Sequence, residues 1–570
     1  MDDKGTIRHP TFRPMRQEIH AIYSLLLISL TACVSEPNAD TLLINGQFAQ
    51  VNDSNITYQQ GSVAIVDGKI SAFYPQGSGL PVAKERHDLD GSIVYPGFVD
   101  AHAHYLGFGM ALTSINLLET TSWESCLQRV ADYIKTHPDQ DIYRGRGWDQ
   151  NDWVNTAFPD NEALNALSDK AIVLNRIDGH ALIANQAALT HLKLADGELT
   201  IEGGEILHHN GQLTGVLIDN AMDLLQLPAM SRSDKIDALL AADKACIASG
   251  LTGLHDAGLP TQDILLIDSL QREGLLHLPL QCMVSESPAA MDYWLERGKL
   301  FTERMTVRNF KFYSDGALGS RGALLRESYT DRHDHHGSQI RSVSYLQQAA
   351  NRLASNGWQM STHAIGDSAN HMMLNIYEQA LTGVDSNLRW RIEHAQVVSP
   401  ADRHRFGGKL GIIPSIQPTH ATSDMAWAGE RLGKHRIHHA YAYKQLKDAA
   451  GGHLPIGTDC PVERINPLHS LYAAIHRRAI DSTDSKGFQM DNALTLPQAL
   501  NGMTHEAAYA GFDEGTVGQI AVGYWANFTI FEVKLHTYKP AELPHVSPIA
   551  TWIHGTMYKN THHDTAQETL

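Results

Sequence analysis

Hydrophobic and polar positions change their spacing twice along the chain. Residues 41–99 alternate or cluster apolar side chains between Gly and Asn or Asp, as in SVAIVDGKISAFY, which predicts β-strands. From residue 120, amphipathic helices such as SWESCLQRVADYIKTH alternate with short apolar strands such as AIVLNRI and HLPIGTD. Strand patterns return after residue 511, in GTVGQIAVGYWANFTIFEV. The chain is therefore predicted to hold an α/β core between two strand-rich ends.

The alternation of strands and helices over about 400 residues favours a (β/α) barrel over an open sheet, since no Gly-rich phosphate loop follows the first strand. We therefore predict an α/β fold, a (β/α)8 TIM barrel with a small composite β-sandwich domain from both chain ends. The N-terminal part of the β-domain is expected over 41–95, and the barrel over 96–500 with an insertion around 140–225. The C-terminal part of the β-domain is expected over 501–570.

The composition narrows the function classes. Hydrophobic residues make up 43% and charged residues 19% of the 570, which is enough apolar surface for a large core and too much for a disordered chain. The net charge of −18 argues against general nucleic-acid binding, which needs basic patches. The sequence has 5 Cys, no CxxC motif and 32 His, so a bound metal is expected to be held by histidines and carboxylates.

The first 33 residues have the order of a secretory signal. The apolar run over 21–30 is about half of what spans a bilayer. Arg13 and Arg16 precede it, and small residues follow in the tetrapeptide LTAC, which ends at Cys33. This order predicts a signal peptide over residues 1–33. The alternative is a buried apolar helix that ends in a cysteine.

The LTAC tetrapeptide also resembles the bacterial lipobox, in which the cysteine becomes the lipidated first residue of the mature protein. That resemblance implies an exported, periplasm-facing lipoprotein with its anchor at Cys33 and a polar tether over 34–40. A valine at position 34, rather than an aspartate, resembles outer-membrane sorting. The sequence is compatible with a translation start at Met1 or at Met15.

The sharpest chemical signal is the string PGFVDAHAH. Residues two apart in an extended segment point to the same side, so His102 and His104 project together. Two neighbouring imidazoles at the end of a strand provide half of a metal site. Taken alone, this motif is also compatible with two surface histidines.

Four later strands end in single polar residues within apolar surroundings. These residues are Lys311, His363, His394 and Asp459. Barrel enzymes place their chemistry at the carboxyl ends of the barrel strands. Each residue alone is compatible with a satisfied polar group in the core. Four such positions after an HxH motif on the first strand favour one shared metal site.

The ordered set of HxH, Lys, His, His and Asp, on strands one, four, five, six and eight, resembles the amidohydrolase superfamily of metal hydrolases. The local strings are closer still to its branch with N-substituted formamide deformylase and exoenzyme-regulatory proteins. The matching strings are PGFVDAHAH, GRGWDQNDW, LHDAG, KFYSDGALGSRGALL, HAIGD, RIEHAQ and IGTDCPV. The resemblance covers residues 41–535. Trp525-Ala526-Asn527 stands where the family usually has Lys-Ala-Asp, which is a departure in a structural segment.

The resemblance implies six metal ligands. They are His102, His104, Lys311, His363, His394 and Asp459. Zn²⁺ suits neutral imidazole and carboxylate ligands, and the set is compatible with one or two ions. Burial between two phenylalanines favours a neutral amine on Lys311, which can take up CO₂. In many relatives the resulting N6-carboxylated lysine bridges two metals; an ion pair of Lys311 with Asp315 or with another carboxylate is the alternative.

Catalytic and binding roles extend beyond the ligands. The expected catalytic residues are Asp459, Lys311 and His255. Asp459 is expected to take a proton from water and return it to the leaving nitrogen. The expected substrate-binding residues are Arg146, Trp148, Asp178, His180 and Arg321. Packing is the alternative for Trp148, and an ion pair for Asp178 and His180.

These features predict a metal-dependent hydrolase that cleaves a C–N bond in an amide, formamide or cyclic amide with metal-activated water. Deamination and ester or lactone hydrolysis on the same scaffold are alternatives, and so is a non-catalytic binding lipoprotein. The expected partners are a small-molecule substrate and a membrane, reached through lipid at Cys33, but no nucleic acid. A homodimer is compatible with the sequence and is not specified by it.

Overall fold

The computed structural model of the protein describes residues 39–193, 201, 203–384, 387–480 and 486–559. The predicted signal peptide and Cys33 lie outside these residues. No helix within these ranges is long and apolar enough to cross a membrane. The described strands form three sheets: one from both chain ends, one in an insertion and one in a barrel.

The first sheet begins with five N-terminal strands. They are β1 (Ala39–Val51), β2 (Ile56–Val66), β3 (Lys69–Pro75), β4 (Ala83–Asp88) and β5 (Ile93–Pro96). On one side β1 is antiparallel to β2, and on the other it pairs in parallel first with β4 and then with β5. The sheet therefore branches at β1. Apolar side chains such as Phe48 and Val63 form its buried core.

The barrel starts with β6 (Phe98–Ala103) and α1 (Tyr105–Leu112), and an insertion with its own six-stranded sheet follows. The insertion contains β7 (Ile115–Asn116), α2 (Trp123–Thr136), β8 (Ile142–Trp148), α3 (Glu162–Asn165), β9 (Ala171–Arg176), β10 (Ala181–Ala184), α4 (Gln186–Leu189), β11 (Gly204–His209) and β12 (Gln212–Asp219). A capping box between Ser122 and Ser125 begins α2. The sheet of the insertion begins with β7, before the boundary predicted near residue 140. Strand β7 is too short to show an alternating pattern in the sequence, so the boundary was predicted too late.

The barrel then resumes and continues to the C-terminal helices. Its elements are α5 (Arg232–Ala248), β13 (Leu251–Leu259), α6 (Thr261–Arg272), β14 (Leu280–Ser285), α7 (Pro288–Arg297), β15 (Leu300–Phe301), β16 (Met305–Tyr313), α8 (Val343–Ser355), β17 (Gln359–Ala364), α9 (Asp367–Leu381), β18 (Arg391–His394), α10 (Pro400–Arg403), β19 (Ile413–Ser415), α11 (Pro418–Asp424), α12 (Ala428–Arg436), α13 (Tyr443–Ala449), α14 (Pro467–His476), α15 (Leu496–Gly502) and α16 (His505–Gly511). The strands β17 and β18 are buried along their whole length, as expected of parallel strands covered by helices.

Seven parallel strands make up most of the barrel wall, in the order β6, β13, β14, β16, β17, β18 and β19. The gap between β19 and β6 is filled by the segment around Ile456. Ile456 forms a parallel bridge with Ile416, and its carbonyl accepts the Ala101 N–H at 3.1 Å. Nearby, the Asp459 N–H donates to the His102 carbonyl at 2.7 Å. This segment occupies the eighth strand position, and the predicted TIM barrel is confirmed.

The C-terminal strands return to the first sheet. They are β20 (Phe528–Phe531), β21 (Ala550–Ile553) and β22 (Thr556–Lys559). β20 is antiparallel to β5, so strands from both chain ends share one sheet, as predicted. The C-terminal part expected from residue 501 begins instead with helices, since α15 and α16 occupy its first positions. The four described cysteines are buried and unpaired.

Candidate metal centre

The predicted ligands meet at the carboxyl ends of the barrel strands. His102 lies on β6, Lys311 on β16, His363 on β17 and His394 at the end of β18, while Asp459 follows the segment that closes the barrel. Their side chains are buried, except that 29% of the His104 side chain is exposed. The structure thus brings all six predicted positions to one end of the barrel.

Asp459 is the centre of the cluster. Its Oδ1 lies 3.2 Å from His104 Nε2 and 3.5 Å from His102 Nε2. Its Oδ2 lies 3.4 Å from His420 Nε2 and 3.9 Å from His394 Nδ1. The His394 ring is 4.6 Å, centroid to centroid, from the ring of His363. One carboxylate therefore faces histidines on both of its oxygens.

The donor set fits a divalent metal ion. The ligand atoms of His102, His104 and Asp459 lie within 4.8 Å of one another, and so do those of His394, His420 and Asp459. His102 Nε2, His420 Nε2 and Asp459 Oδ1 are buried and have no hydrogen-bond partner among the described residues. Buried polar atoms without partners are costly, and a shared metal ion satisfies such a group of imidazoles and carboxylate.

Partners outside the cluster fix the orientation of two of the imidazoles. His102 Nδ1 is 2.5 Å from Glu393 Oε2, and His394 Nδ1 is 2.8 Å from Gln417 Oε1. A metal-bound histidine usually donates its other N–H to a carboxylate or an amide oxygen in this way. Both contacts leave Nε2 of the ring as the atom available for a metal.

Burial lowers the pKa of His420, but the contact with Asp459 outweighs it and raises that pKa to about 9, whereas three other imidazoles of the cluster are kept neutral. Burial and the charge of Lys311 lower the pKa of His102 to about 4. Burial also lowers the pKa of His363 and of His394 well below the usual histidine value. Burial raises the pKa of Asp459, but contacts from His104 and His420 outweigh it and hold that pKa well below its usual range. Neutral imidazoles and an ionised carboxylate are the forms that ligate a metal.

Two of these residues have an uncommon backbone conformation. His394 has φ 73° and Asp459 has φ 62°, both in the left-handed region that favours glycine. Such conformations cost about 1–3 kcal/mol each and tend to occur at functional sites. The fold holds both ligands in place despite this local cost.

Lys311 is buried at the pocket wall. Its Nζ lies 3.5 Å from the Ala257 carbonyl oxygen and 4.6 Å from the centre of the Tyr313 ring. The alternative ion pair with Asp315 is not formed, because that carboxylate accepts the backbone N–H groups of Leu324, Ile365 and Gly366. The amine faces the metal pocket without a carboxylate partner within the described chain.

A pocket of about 580 Å³ opens above the cluster. Arg146, Asp178 and His180, all predicted to bind substrate, line it. Asp178 pairs with Arg176, and His180 Nδ1 is 2.7 Å from Asp219 Oδ1. The volume is that of a pocket for a small molecule.

Three predicted site residues lie elsewhere. Trp148 is fully buried in the core of the insertion, where its Nε1 donates to the Leu174 carbonyl at 2.8 Å. The Arg321 guanidinium donates to Asp331 at 2.8 Å and is not among the residues that line the pocket. His255 lines a different cavity, and its Nδ1 accepts from Arg391 at 3.1 Å. Trp148 and Arg321, predicted to bind substrate, are therefore not part of the pocket lining, and neither is His255, predicted to be catalytic.

Two residues of the centre were not identified from the sequence. Glu393 lies inside the RIEH string and orients His102. His420 belongs to α11, just after β19, and contacts Asp459. The rule that found the other ligands, a polar residue just past a barrel strand, also applies to His420.

Comparisons with known proteins agree with this geometry. A model of the amidohydrolase family matches residues 85–558. The chain is 30% identical over 478 residues to the putative amidohydrolase YtcJ of Bacillus subtilis, covering 83% of this chain and 90% of that one. It is 23% identical over 551 residues to the N-substituted formamide deformylase of Arthrobacter pascens, covering 92% and 99%.

A solved structure is similar over most of its length. The uncharacterized metal-dependent hydrolase from Pyrococcus horikoshii has a TM-score of 0.71 and 25% identity, over 88% of this chain and 99% of that one. The predicted resemblance to metal hydrolases is confirmed by these matches.

Proposed function

The chain belongs to the amidohydrolase family, and from this premise we propose that it hydrolyses a C–N bond of a small molecule, in an amide, formamide or cyclic amide. The observation that carries the proposal is the contact of both Asp459 oxygens with histidines at the carboxyl end of the barrel. The name of the Arthrobacter pascens relative supports an N-substituted formamide as one substrate class to test first.

One or two divalent ions, with zinc as the first candidate, belong to the proposal. The residues that would hold them are His102, His104, Lys311, His363, His394 and Asp459. A bound metal ion supplies Lewis acidity, which polarises a carbonyl and lowers the pKa of water. The structure supports this use through the lowered pKa of His102 and through two buried ligand atoms, His102 Nε2 and Asp459 Oδ1, that have no hydrogen-bond partner among the described residues.

Asp459 is the proposed proton carrier. Its Oδ1 lies nearest to two proposed ligands, His102 and His104, whereas the histidine nearest to Oδ2, His420, is outside the proposed ligand set. We therefore assign to Oδ2 the proton that is taken from water and delivered to the leaving nitrogen. His420 Nε2, 3.4 Å from Oδ2, positions that oxygen. The geometry supports this division of roles because the two oxygens contact different histidines.

The substrate proposed for the pocket is a small molecule. The pocket volume of about 580 Å³ suits one, and the net charge of −18 opposes a nucleic acid. We also propose that the protein is exported and anchored through lipid on Cys33, on the strength of the LTAC tetrapeptide after an apolar run.

The proposal is tested with the purified protein in two measurements. Its metal content is determined by mass spectrometry, and its activity is measured on a panel of N-formyl and N-acyl amines, cyclic amides, amino-heterocycles and lactones. Release of an amine and a carboxylate supports amide hydrolysis. Release of ammonia indicates deamination, and turnover of lactones alone indicates an esterase. A protein that folds without metal and turns over nothing is a binding protein, which contradicts the proposal.

A further inference from the structure

A second cavity lies beside the metal pocket. Its volume is about 630 Å³, and it lies between the insertion and the helices α1 and α5. The two cavities share Gly107, Met110 and Arg146 in their linings. Arg146 is the one charged residue common to both, so its guanidinium lies at their boundary. A molecule that extended from the metal pocket into the second cavity would therefore pass Arg146.

Arg146 forms no salt bridge within the described chain, although the charges of Asp178 and Asp459 act on it. Its Nη2 donates to the Ile177 carbonyl at 2.6 Å, while its buried Nε has no hydrogen-bond partner among the described residues. The nearest acidic candidate, Asp178, is already paired with Arg176 and accepts the His180 N–H at 3.0 Å. The desolvation of a partly buried arginine that forms no salt bridge is only partly compensated.

A second arginine lies on the same face of β8. Arg144 is two residues before Arg146, and side chains two apart on a strand point to the same side. Its Nη2 donates to the Pro228 carbonyl at 3.0 Å, and no carboxylate of the described chain pairs with it. The acidic residues of this cavity, Asp141, Asp234 and Asp237, are exposed. Among the charged side chains that line this second cavity, the less exposed ones, Arg144 and Arg146, are therefore positive.

We propose that the substrate carries a carboxylate, and that Arg146 binds it at the boundary of the two cavities while Arg144 faces the part of the substrate beyond. This inference rests on the proposed hydrolase function and narrows its substrates to anionic amides. The guanidinium fork matches a carboxylate with two parallel hydrogen bonds, and within the described chain Arg146 makes only the Nη2 hydrogen bond to Ile177.

The test uses hydroxamates, which bind a metal centre without being turned over. A series with two to five methylene groups is made in matched pairs that end in a carboxylate or in the neutral carboxamide. Binding to the metal-loaded protein is measured by calorimetry for the unmodified protein, Arg146→Gln and Arg272→Gln. Arg272 is a matched control, since it is an exposed arginine in a surface pair with Asp268 on α6.

We expect that, for at least one chain length, the unmodified protein binds the hydroxamate with the carboxylate at least about 10-fold more tightly than its carboxamide partner. This factor is the low end for a charge-assisted hydrogen bond. Arg146→Gln should abolish this preference and keep the carboxamide affinity, which also shows that the variant is folded. Arg272→Gln should keep the preference. Equal affinities at every length, or a preference that survives Arg146→Gln, overturns the inference. If no hydroxamate binds the metal-loaded protein, the hydrolase proposal itself fails.

Discussion

Replacement of Glu393 by glutamine tests how the proposed metal ligand His102 is held. Glu393 is completely buried; its Oε2 lies 2.5 Å from His102 Nδ1 and accepts from Arg391 Nη2 at 3.0 Å. Its Oε1 lies 2.7 Å from Arg391 Nε. Glutamine keeps the size of the side chain and removes the charge. The change leaves the Arg391 guanidinium buried without a carboxylate.

The expected cost follows from this burial. Removal of one partner of a buried ion pair destabilises a protein by about 3–5 kcal/mol. We expect a loss of that size in the free energy of unfolding of metal-free Glu393→Gln. Loss of a carboxylate that orients a metal-bound histidine typically lowers metal affinity about 10–100-fold, and we expect a decrease in that range here.

The pH dependence of this loss gives an independent check. Burial raises the pKa of Glu393, but the charges of Arg391 and His102 outweigh it and hold that pKa well below the usual glutamate value. Stability from such a group is complete above the unfolded pKa of about 4.3 and is lost as the pH falls below it. The difference between Glu393→Gln and the unmodified protein should thus be constant from about pH 6 to 8 and shrink below about pH 4.3.

Urea unfolding of the chelated protein measures the stability, as the shift of the midpoint multiplied by the slope. Competition with a chromophoric chelator measures the zinc affinity. The control is Asp292→Asn, in which an exposed carboxylate 2.7 Å from the exposed Arg352 is replaced. That pair is at the surface, so its loss should cost less than about 1 kcal/mol. Equal unfolding curves and equal zinc affinity for the two variants would refute the reasoning.

Three further changes test the proposed site and location. Asp459→Asn keeps an oxygen ligand, so metal should largely be retained while kcat falls at least about 100-fold; near-normal turnover would instead point to Asp178 as proton carrier. Lys311→Ala should lower the measured metal content per chain if a carboxylated lysine bridges two ions, and full content would mark Lys311 as structural. Cys33→Ser should abolish labelling by a fatty-acid probe, and equal labelling would contradict the lipid anchor.

The strand ends were predictable from sequence because the barrel strands are apolar on both sides. A single histidine at the end of a buried strand, such as His363 or His394, interrupts that pattern visibly. The same pattern, a polar residue at the end of an apolar strand, located Asp459. Its segment nevertheless makes too few backbone hydrogen bonds with its neighbours to form a regular strand. The barrel and most of the candidate metal centre therefore followed from local pattern.

Long-range pairing was not predictable in the same way. Glu393 contacts His102 across 291 positions, and nothing near either residue shows that pairing. His255 lies in a similar polar string within β13, yet its ring accepts a hydrogen bond from Arg391. Trp148 adjoins a polar string, but its indole turns into the insertion core. Which way a side chain turns depends on the neighbours that the tertiary fold supplies.

The sheet shared by both chain ends has a consequence for biosynthesis. The Leu535 N–H donates to the Tyr95 hydroxyl, 440 positions earlier. One edge of β5 pairs with β20, so that edge has no partner until β20 has been synthesised. At about 5–20 residues per second, translation leaves that edge unpaired for roughly 20–90 s. An open strand edge is a template for aggregation, so the nascent chain depends on a chaperone or on delayed folding until its last strands have emerged.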